Sequence, residues 1–261
     1  MLFDVLTGDQ ITSIEGVAPI AFSPDGSLLA YSTPKTYSWG EAPLLIWDIN
    51  AGEPLQLDLG WVPSSFIDLY KDSLVFSPDG STVANIFEPV TLRDLLTGER
   101  IMPLESGLDP YLDFPSFEAE SGEGPIGVFS PDGKILAATW LIKTSDDRRN
   151  EKAKGVVNRW DMGNGELIAT LDGHADPTWC DTFCGNPITA IAFSTDGSLL
   201  ATGAKDKTIV LWSVQDSSML KVLEGHSAAV NSLSFSPDGN YLYSGSLDGT
   251  VITWDLEQPL P

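Results

Sequence analysis

The segment Phe235-Ser236-Pro237-Asp238-Gly239 also occurs at Phe22, Phe76 and Phe129, and Phe193-Ser194-Thr195-Asp196-Gly197 is a fifth copy with one change. The spacings are 54, 53, 64 and 42 residues (76−22, 129−76, 193−129, 235−193). A fixed motif at unequal spacing is one structural unit repeated with insertions of different length. A period of about 40–50 residues marks a propeller or similar array, so one domain of stacked repeats is expected. Function then belongs to loops and surfaces held by a rigid scaffold.

The last copy shows the unit most clearly. Gly225-His226 leads into a strand from Val230 to Phe235, and Ser236-Pro237-Asp238-Gly239 turns the chain. Proline presets φ at the second place of such a turn, and glycine accepts a positive φ at its end. A second strand follows from Tyr241 to Ser246, then the tight turn Leu247-Asp248-Gly249, then a third strand from Thr250 to Leu256 containing Trp254-Asp255. The β-branched and aromatic content of these runs supports strands.

These residues resemble the WD-repeat family, whose unit carries Gly-His near its start and Trp-Asp near its end. The resemblance implies an all-β propeller of four-stranded blades around a central channel. It covers nearly the whole chain and is most specific in the last two units. The repeats are expected at approximately 16–59, 60–104, 105–172, 173–224 and 225–256, about five blades in a single domain 1–261, with 1–15 a partial blade. The units end in Trp47-Asp48, Leu92-Arg93-Asp94, Trp160-Asp161, Trp212-Ser213 and Trp254-Asp255, and Gly-His precedes the last two alone. In the family the histidine, a strand Ser or Thr, the tight-turn Asp and the Trp form a structural hydrogen-bonded network inside the blade. The matching positions are His174, Thr202, Asp206 and Trp212, and His226, Ser244, Asp248 and Trp254. Blades without the network should be less stable. With Trp254 expected to be a large buried side chain, Trp254→Ala should cost about 3–5 kcal/mol.

The N-terminal Leu2-Phe3-Asp4-Val5-Leu6-Thr7-Gly8-Asp9 reads like the end of a unit, as in Ile46-Trp47-Asp48-Ile49-Asn50-Ala51-Gly52-Glu53. Gln10 to Glu15 would be the outer strand of that unit. Two expectations follow: either the N-terminal strand completes the last blade and closes a ring of five, or the chain is part of a larger ring. An unclosed arc would expose strand edges.

Composition narrows the partners. The 261 residues carry 37 acidic against 14 basic side chains, a net charge of −23. Nucleic acid and anionic membrane are disfavoured, because phosphate binding needs a basic face, and a basic protein or peptide is favoured. No run approaches the roughly 20 apolar residues of a spanning helix. Met1 to Gly16 holds no Lys or Arg, so a secretory signal is not expected. Cys180 and Cys184 are the only cysteines, which fits an intracellular protein, cytoplasmic or nuclear.

Four insertions stand out. Glu105 to Gly124 is acidic, without Lys or Arg, and interleaves Tyr111, Phe114 and Phe117. It is either an anchor for a basic partner or a solvated loop whose aromatics cover a blade edge. Lys143 to Gly155 holds five of the basic residues, Lys143, Arg148, Arg149, Lys152 and Lys154, and opens on the same face, where it can pair with the acidic insertion. Ala175 to Pro187 carries Trp179-Cys180-Asp181-Thr182-Phe183-Cys184. Zinc needs about four Cys or His ligands, and His174 nearby is assigned to the blade network, so no metal or other cofactor is expected. Thr33 to Glu41, with Tyr37 and Trp39, is a contact loop or an apolar flap.

No catalytic constellation appears: the chain has no Gly-x-Ser-x-Gly elbow and no phosphate-binding glycine loop. The expected function is a non-catalytic protein–protein interaction scaffold, with Tyr111, Phe114, Phe117, Arg148, Arg149 and Trp179 as candidate contacts. Two alternatives stay open. The Phe-Ser-Pro-Asp-Gly units with Thr-Gly-Glu tails also resemble the repeat arrays of fungal NACHT-type immune receptors, which implies a detached ligand-sensing repeat domain of an immune-receptor-like protein. A hydrolase-associated propeller with carboxylate chemistry is the other.

Overall fold

The computed structural model describes residues 2–3, 6–32, 41–55, 57, 61–63, 74–86, 90–104, 125–143, 153–174 and 187–257. Every regular element among them is a strand. β1 (Leu2–Phe3) and β2 (Gln10–Thr12) form a two-stranded sheet. The first full blade follows with β3 (Val17–Phe22), β4 (Leu28–Ser32), β5 (Glu41–Asp48) and β6 (Glu53–Leu55). β7 (Trp61–Pro63) pairs with the first residues of β5, opposite Glu41–Pro43, and so extends the outer edge of this blade. The repeat spacing had put residue 60 at the start of the next unit.

The second blade is β8 (Leu74–Phe76), β9 (Thr82–Asn85), β10 (Thr91–Asp94) and β11 (Arg100–Pro103). The third is β12 (Gly127–Phe129), β13 (Ile135–Lys143), β14 (Ala153–Asp161) and β15 (Leu167–Leu171). The fourth is β16 (Ile188–Phe193), β17 (Leu199–Ala204), β18 (Ile209–Ser213) and β19 (Met219–Leu223). The fifth has three strands, β20 (Val230–Phe235), β21 (Tyr241–Ser246) and β22 (Val251–Asp255). Within each blade successive strands are antiparallel neighbours. The first strands of consecutive blades lie side by side, β3 by β8, β8 by β12, β12 by β16 and β16 by β20. The blades therefore fan around a common axis, as in a WD-type propeller.

The arc is not closed among the described residues. β2 pairs with β1 and does not complete the fifth blade, and β22 has no strand beyond it. The closure of a ring of five by the N-terminal strand is thus not the arrangement seen. β22, an edge strand, leaves Trp254 partly exposed, which corrects the expectation of a buried side chain there.

The repeated turn explains why the motif is so regular. In the first copy Ser23 Oγ donates to Asp25 Oδ1 at 2.6 Å and accepts the Leu28 N–H at 2.9 Å. Gly26 closes the turn onto the Ser23 carbonyl at 2.9 Å with φ +71°. The same bonds recur around Asp79, Asp132, Asp196 and Asp238. The serine hydroxyl bond, first among the causes, holds each of these carboxyls below the usual range, at about 2 for Asp25 and Asp132. Consecutive turns also touch. Pro24 lies against Gly80, Pro78 against Gly133 and Pro131 against Gly197. Thr195 replaces the next proline, and its hydroxyl donates to the Ser236 carbonyl at 3.1 Å.

The junctions between blades follow a position rule. Three residues after the turn glycine stands Leu29, Val83, Leu136, Leu200 or Leu242, and from the second blade on it packs with the preceding blade. Four residues after it stands Ala30, Ala84, Ala137 or Ala201, each fully buried beneath the following blade. Each junction joins one such alanine to the next leucine or valine: Ala30 with Val83, Ala84 with Leu136, Ala137 with Leu200, Ala201 with Leu242. Alanine is needed because the next sheet sits directly on the strand, at interior packing density. In the fifth blade the position is Tyr243, 40% exposed.

Candidate functional site

Strand direction sorts the connections onto two edges of the fan. Connections from a first to a second strand, and from a third to a fourth, are short turns of five residues or fewer. Connections from a second to a third strand, and from a fourth strand to the next blade, leave from the opposite edge. All the long insertions belong to that edge: 33–40 between β4 and β5, 105–124 after β11, 144–152 between β13 and β14, and 175–186 after β15. One edge thus carries tight turns of five residues or fewer, and the other is where the chain leaves its strands for the long insertions.

The candidate contact residues Tyr111, Phe114, Phe117, Arg148, Arg149 and Trp179 lie outside the described residues, as do Tyr37, Trp39, Cys180 and Cys184. Of the basic insertion, Lys154 is described: its ammonium pairs with Asp172, just past β15 of its own blade. Among the described residues no group of three His, Cys, Asp or Glu side chains is placed to hold a metal ion.

The residues of the blade network are brought together. In the fourth blade His174 Nε2 bonds Thr202 Oγ1 at 2.8 Å, and His174 Nδ1 bonds Asp206 Oδ2 at 3.1 Å. Trp212 Nε1 donates to the same threonine oxygen at 3.0 Å. Burial pushes the Asp206 carboxyl up, but bonds from His174 and Thr208 outweigh it and hold its pKa at about 2. In the fifth blade His226 Nε2 meets Ser244 Oγ at 2.8 Å, His226 Nδ1 meets Asp248 Oδ2 at 3.0 Å, and Trp254 Nε1 donates to Ser244 Oγ at 2.8 Å. Asp248 is held well below the usual range by the Thr250 hydroxyl and the Ser227 N–H.

Ser244, His226 and Asp248 have the connectivity of a nucleophile, base and orienting acid. Ser244 is 1% exposed, however, and its oxygen already takes the Trp254 indole N–H. A substrate carbonyl has no path to it, so this arrangement rigidifies the blade and does not attack a substrate. Among the described residues the first and second blades show no such network. Tyr31 and Asn85 stand at the Ser/Thr position, the Trp47 indole N–H has no hydrogen-bond partner, and Arg93 replaces the tryptophan and donates to the Gly98 carbonyl at 3.2 Å.

Sequence reading missed a clamp between the third and fourth blades. Arg159 is 1% exposed and reaches across to the next blade's outer turn, where Nη1 donates to Ser217 Oγ at 2.8 Å and Nη2 to the Val214 carbonyl at 2.7 Å. Ser217 holds φ +61° where the other outer turns have Gly52, Gly98 and Gly165. Burial lowers the Arg159 pKa, and its partners are a hydroxyl and a carbonyl rather than a carboxylate. The signal was available in an alignment of the units: Arg159 occupies the position of Ile46, Leu92 and Leu211. Arg159→Ala is expected to cost about 2–4 kcal/mol through lost volume and lost bonds. Arg159→Leu, which restores the residue of the second and fourth blades, is expected to cost less than about 1.5 kcal/mol. Thermal unfolding checks the order; equal losses would mean that the two hydrogen bonds, not the volume, hold this junction.

Residues 165–213 and 217–255 match the family model of the WD domain, G-beta repeat. These stretches run β15–β18 and β19–β22, so each sequence repeat begins with the outer strand of one blade and ends with the third strand of the next. The probable cytosolic iron-sulfur protein assembly protein 1 of Cryptococcus neoformans is 29% identical over 206 residues, covering 75% of this chain and 37% of that protein. COMPASS component SWD3 of Saccharomyces cerevisiae is 30% identical over 122 residues, 40% of this chain and 39% of that protein. NACHT domain- and WD repeat-containing protein 1 of Mus musculus is 39% identical over 66 residues, 25% of this chain and 4% of that protein. The chain thus spans well under half the length of these curated relatives.

Proposed function

We propose that this WD-repeat chain is a non-catalytic interaction platform that holds a protein or peptide partner on its loop face. The observation that carries the reading is the segregation of the long insertions to one edge of a rigid fan, while the other edge repeats one tight turn. Such a scaffold fixes variable loops in space, so that a few anchors supply affinity. Both histidines of the sequence are occupied on both ring nitrogens by blade bonds, which removes the usual general base from service. WD-repeat proteins generally serve as interaction scaffolds, and two relatives are named as an assembly protein and a complex component. The acidic composition makes a basic partner the best match, and an intracellular partner is in keeping with those relatives.

The test replaces Tyr111, Phe114 and Phe117 together by alanine. The variant is expected to melt like the parent and to lose its captured partner. Capture that survives this change and also charge reversal at Arg148 and Arg149 removes the loop face as the binding surface.

The 66-residue match to the NACHT- and WD-repeat protein favours a second reading, a ligand-sensing repeat domain of an immune-receptor-like protein. That reading requires a nucleotide-binding domain encoded together with these repeats, and a full-length transcript without one eliminates it.

A further inference from the structure

Among the described residues the turn face has a gap in its regular surface. At the junction of the first and second blades Leu57 and Leu95 pack over the core, with Leu57 against Gly98 of the next outer turn. At the junction of the third and fourth blades the Arg159 guanidinium spans the same region. Between the second and third blades Met162 takes the place of Leu95 and packs on the core with Met102, but among the described residues no arginine crosses the junction. Leu92 stands at the Arg159 position and is too short to cross. The result is a cleft of about 450 Å³, within the range of about 300–1,000 Å³ that holds small ligands or anchoring side chains.

Its floor is apolar, formed by Leu92, Met102, Phe129 and Met162, and its rim carries Asp79 and Asp132, one from each flanking turn. Asp79 uses Oδ1 for its turn bonds, and among the described residues no donor meets its Oδ2. Asp132 pairs with Lys134 at 3.1 Å, with side chains 55% and 80% exposed, so that this lysine is readily exchanged for another cation. Both carboxyls are held ionised by their serine bonds. In a chain of net charge −23, an apolar slot between two carboxylates selects for positive charge around an apolar side chain.

We infer that the cleft between the second and third blades is a docking site for a cationic peptide segment, one large apolar side chain seated on Leu92, Met102, Phe129 and Met162 and flanking Lys or Arg side chains at Asp79 and Asp132. The site lies on the edge opposite the loops, so its failure leaves the loop-face reading intact, and the reverse holds as well.

The sequence supplies its own reporters. Of four methionines, Met102 and Met162 line the cleft, while Met219 lies on β19 of the fourth blade. The full chain with ¹³C-labelled methionine methyls is titrated with acetyl-Gly-Lys-Leu-Lys-Gly-amide, and separately with the Glu-Leu-Glu and Lys-Ser-Lys counterparts. The Lys-Leu-Lys peptide is expected to shift Met102 and Met162 saturably, to leave Met219 still, and to bind more weakly as salt rises. The other two peptides are expected to bind at least about tenfold more weakly. Ile101 lines the cleft and is 42% exposed, so charge is tolerated there. Ile101→Lys is expected to weaken the Lys-Leu-Lys peptide and Ile101→Glu to strengthen it. Three results would overturn the inference: no saturable shift at Met102 and Met162, equal response to the acidic or the serine peptide, or Met219 moving in step with the cleft methionines, which is diffuse attraction to net charge. If an Ile101 variant fails to fold, the three-peptide comparison on the parent decides alone.

Discussion

Trp212→Ala is expected to lower stability by about 3–5 kcal/mol, the largest loss from any single truncation in the fourth blade. The indole is 4% exposed and packs with Ala137, Val157 and Leu171 of the preceding blade. Its Nε1 donates to Thr202, which also serves His174, so removal leaves a cavity and weakens a buried network. Gly173 lies so close beneath it that a side-chain carbon there would fall 2.6 Å from the ring, which explains why glycine precedes histidine in this unit. A chain of this length loses about 2–4 °C of Tm per kcal/mol, so the melting temperature should fall by about 10 °C. Because each blade contacts its neighbours alone, hydrogen exchange should quicken in β12–β19 before it does in β3–β6. Trp254→Ala should cost about half as much, because its blade is open on one side. An unchanged Tm for Trp212→Ala would refute the network's structural role.

Much of this architecture was legible in the chain. The five Phe-Ser-x-Asp-Gly copies fixed the turns because every residue of the motif has a bond or a φ to supply, and such local chemistry is written in sequence order. The three strands of the last unit were placed to within a residue for the same reason. What was not legible crosses a junction. The fate of Leu92 and Arg159, at equivalent positions, depends on what the next blade presents: one floors a cleft and the other plugs a gap. The partial exposure of Trp254 follows from its place on β22, an edge strand among the described residues. β7 escaped notice because Trp61–Pro63 is separated from β6 by an interruption, and its pairing with β5 shows only in space.

The position rule at the junctions ties these observations together. A repeat can carry variable loops on one edge because the alanine, leucine and tryptophan positions on its faces are nearly invariant in size. Stability in such an array is a sum of blade and junction terms. A junction can also vary without breaking the stack: Arg159 departs from the Ile46, Leu92 and Leu211 of the other blades and bonds across its junction, whereas the cleft lies where Leu92 stands.

The last departure yields the second large prediction. Ala201 and Tyr243 occupy the same position, four residues after a turn glycine, in adjacent blades. Ala201 is fully buried with Leu242 of the fifth blade above it, whereas Tyr243 is 40% exposed. Ala201→Tyr therefore forces an aromatic ring into a filled junction and is expected to cost about 3 kcal/mol or more, separating β20–β22 from the fourth blade. Tyr243→Ala removes a ring from an open face and is expected to change stability by less than about 0.5 kcal/mol. The two substitutions exchange the same residue types, so the difference measures position alone. Thermal melting gives the two losses, and limited proteolysis shows whether the fifth blade is released. A loss of several kcal/mol from Tyr243→Ala would contradict the open face and place packed material over β21 in the folded protein.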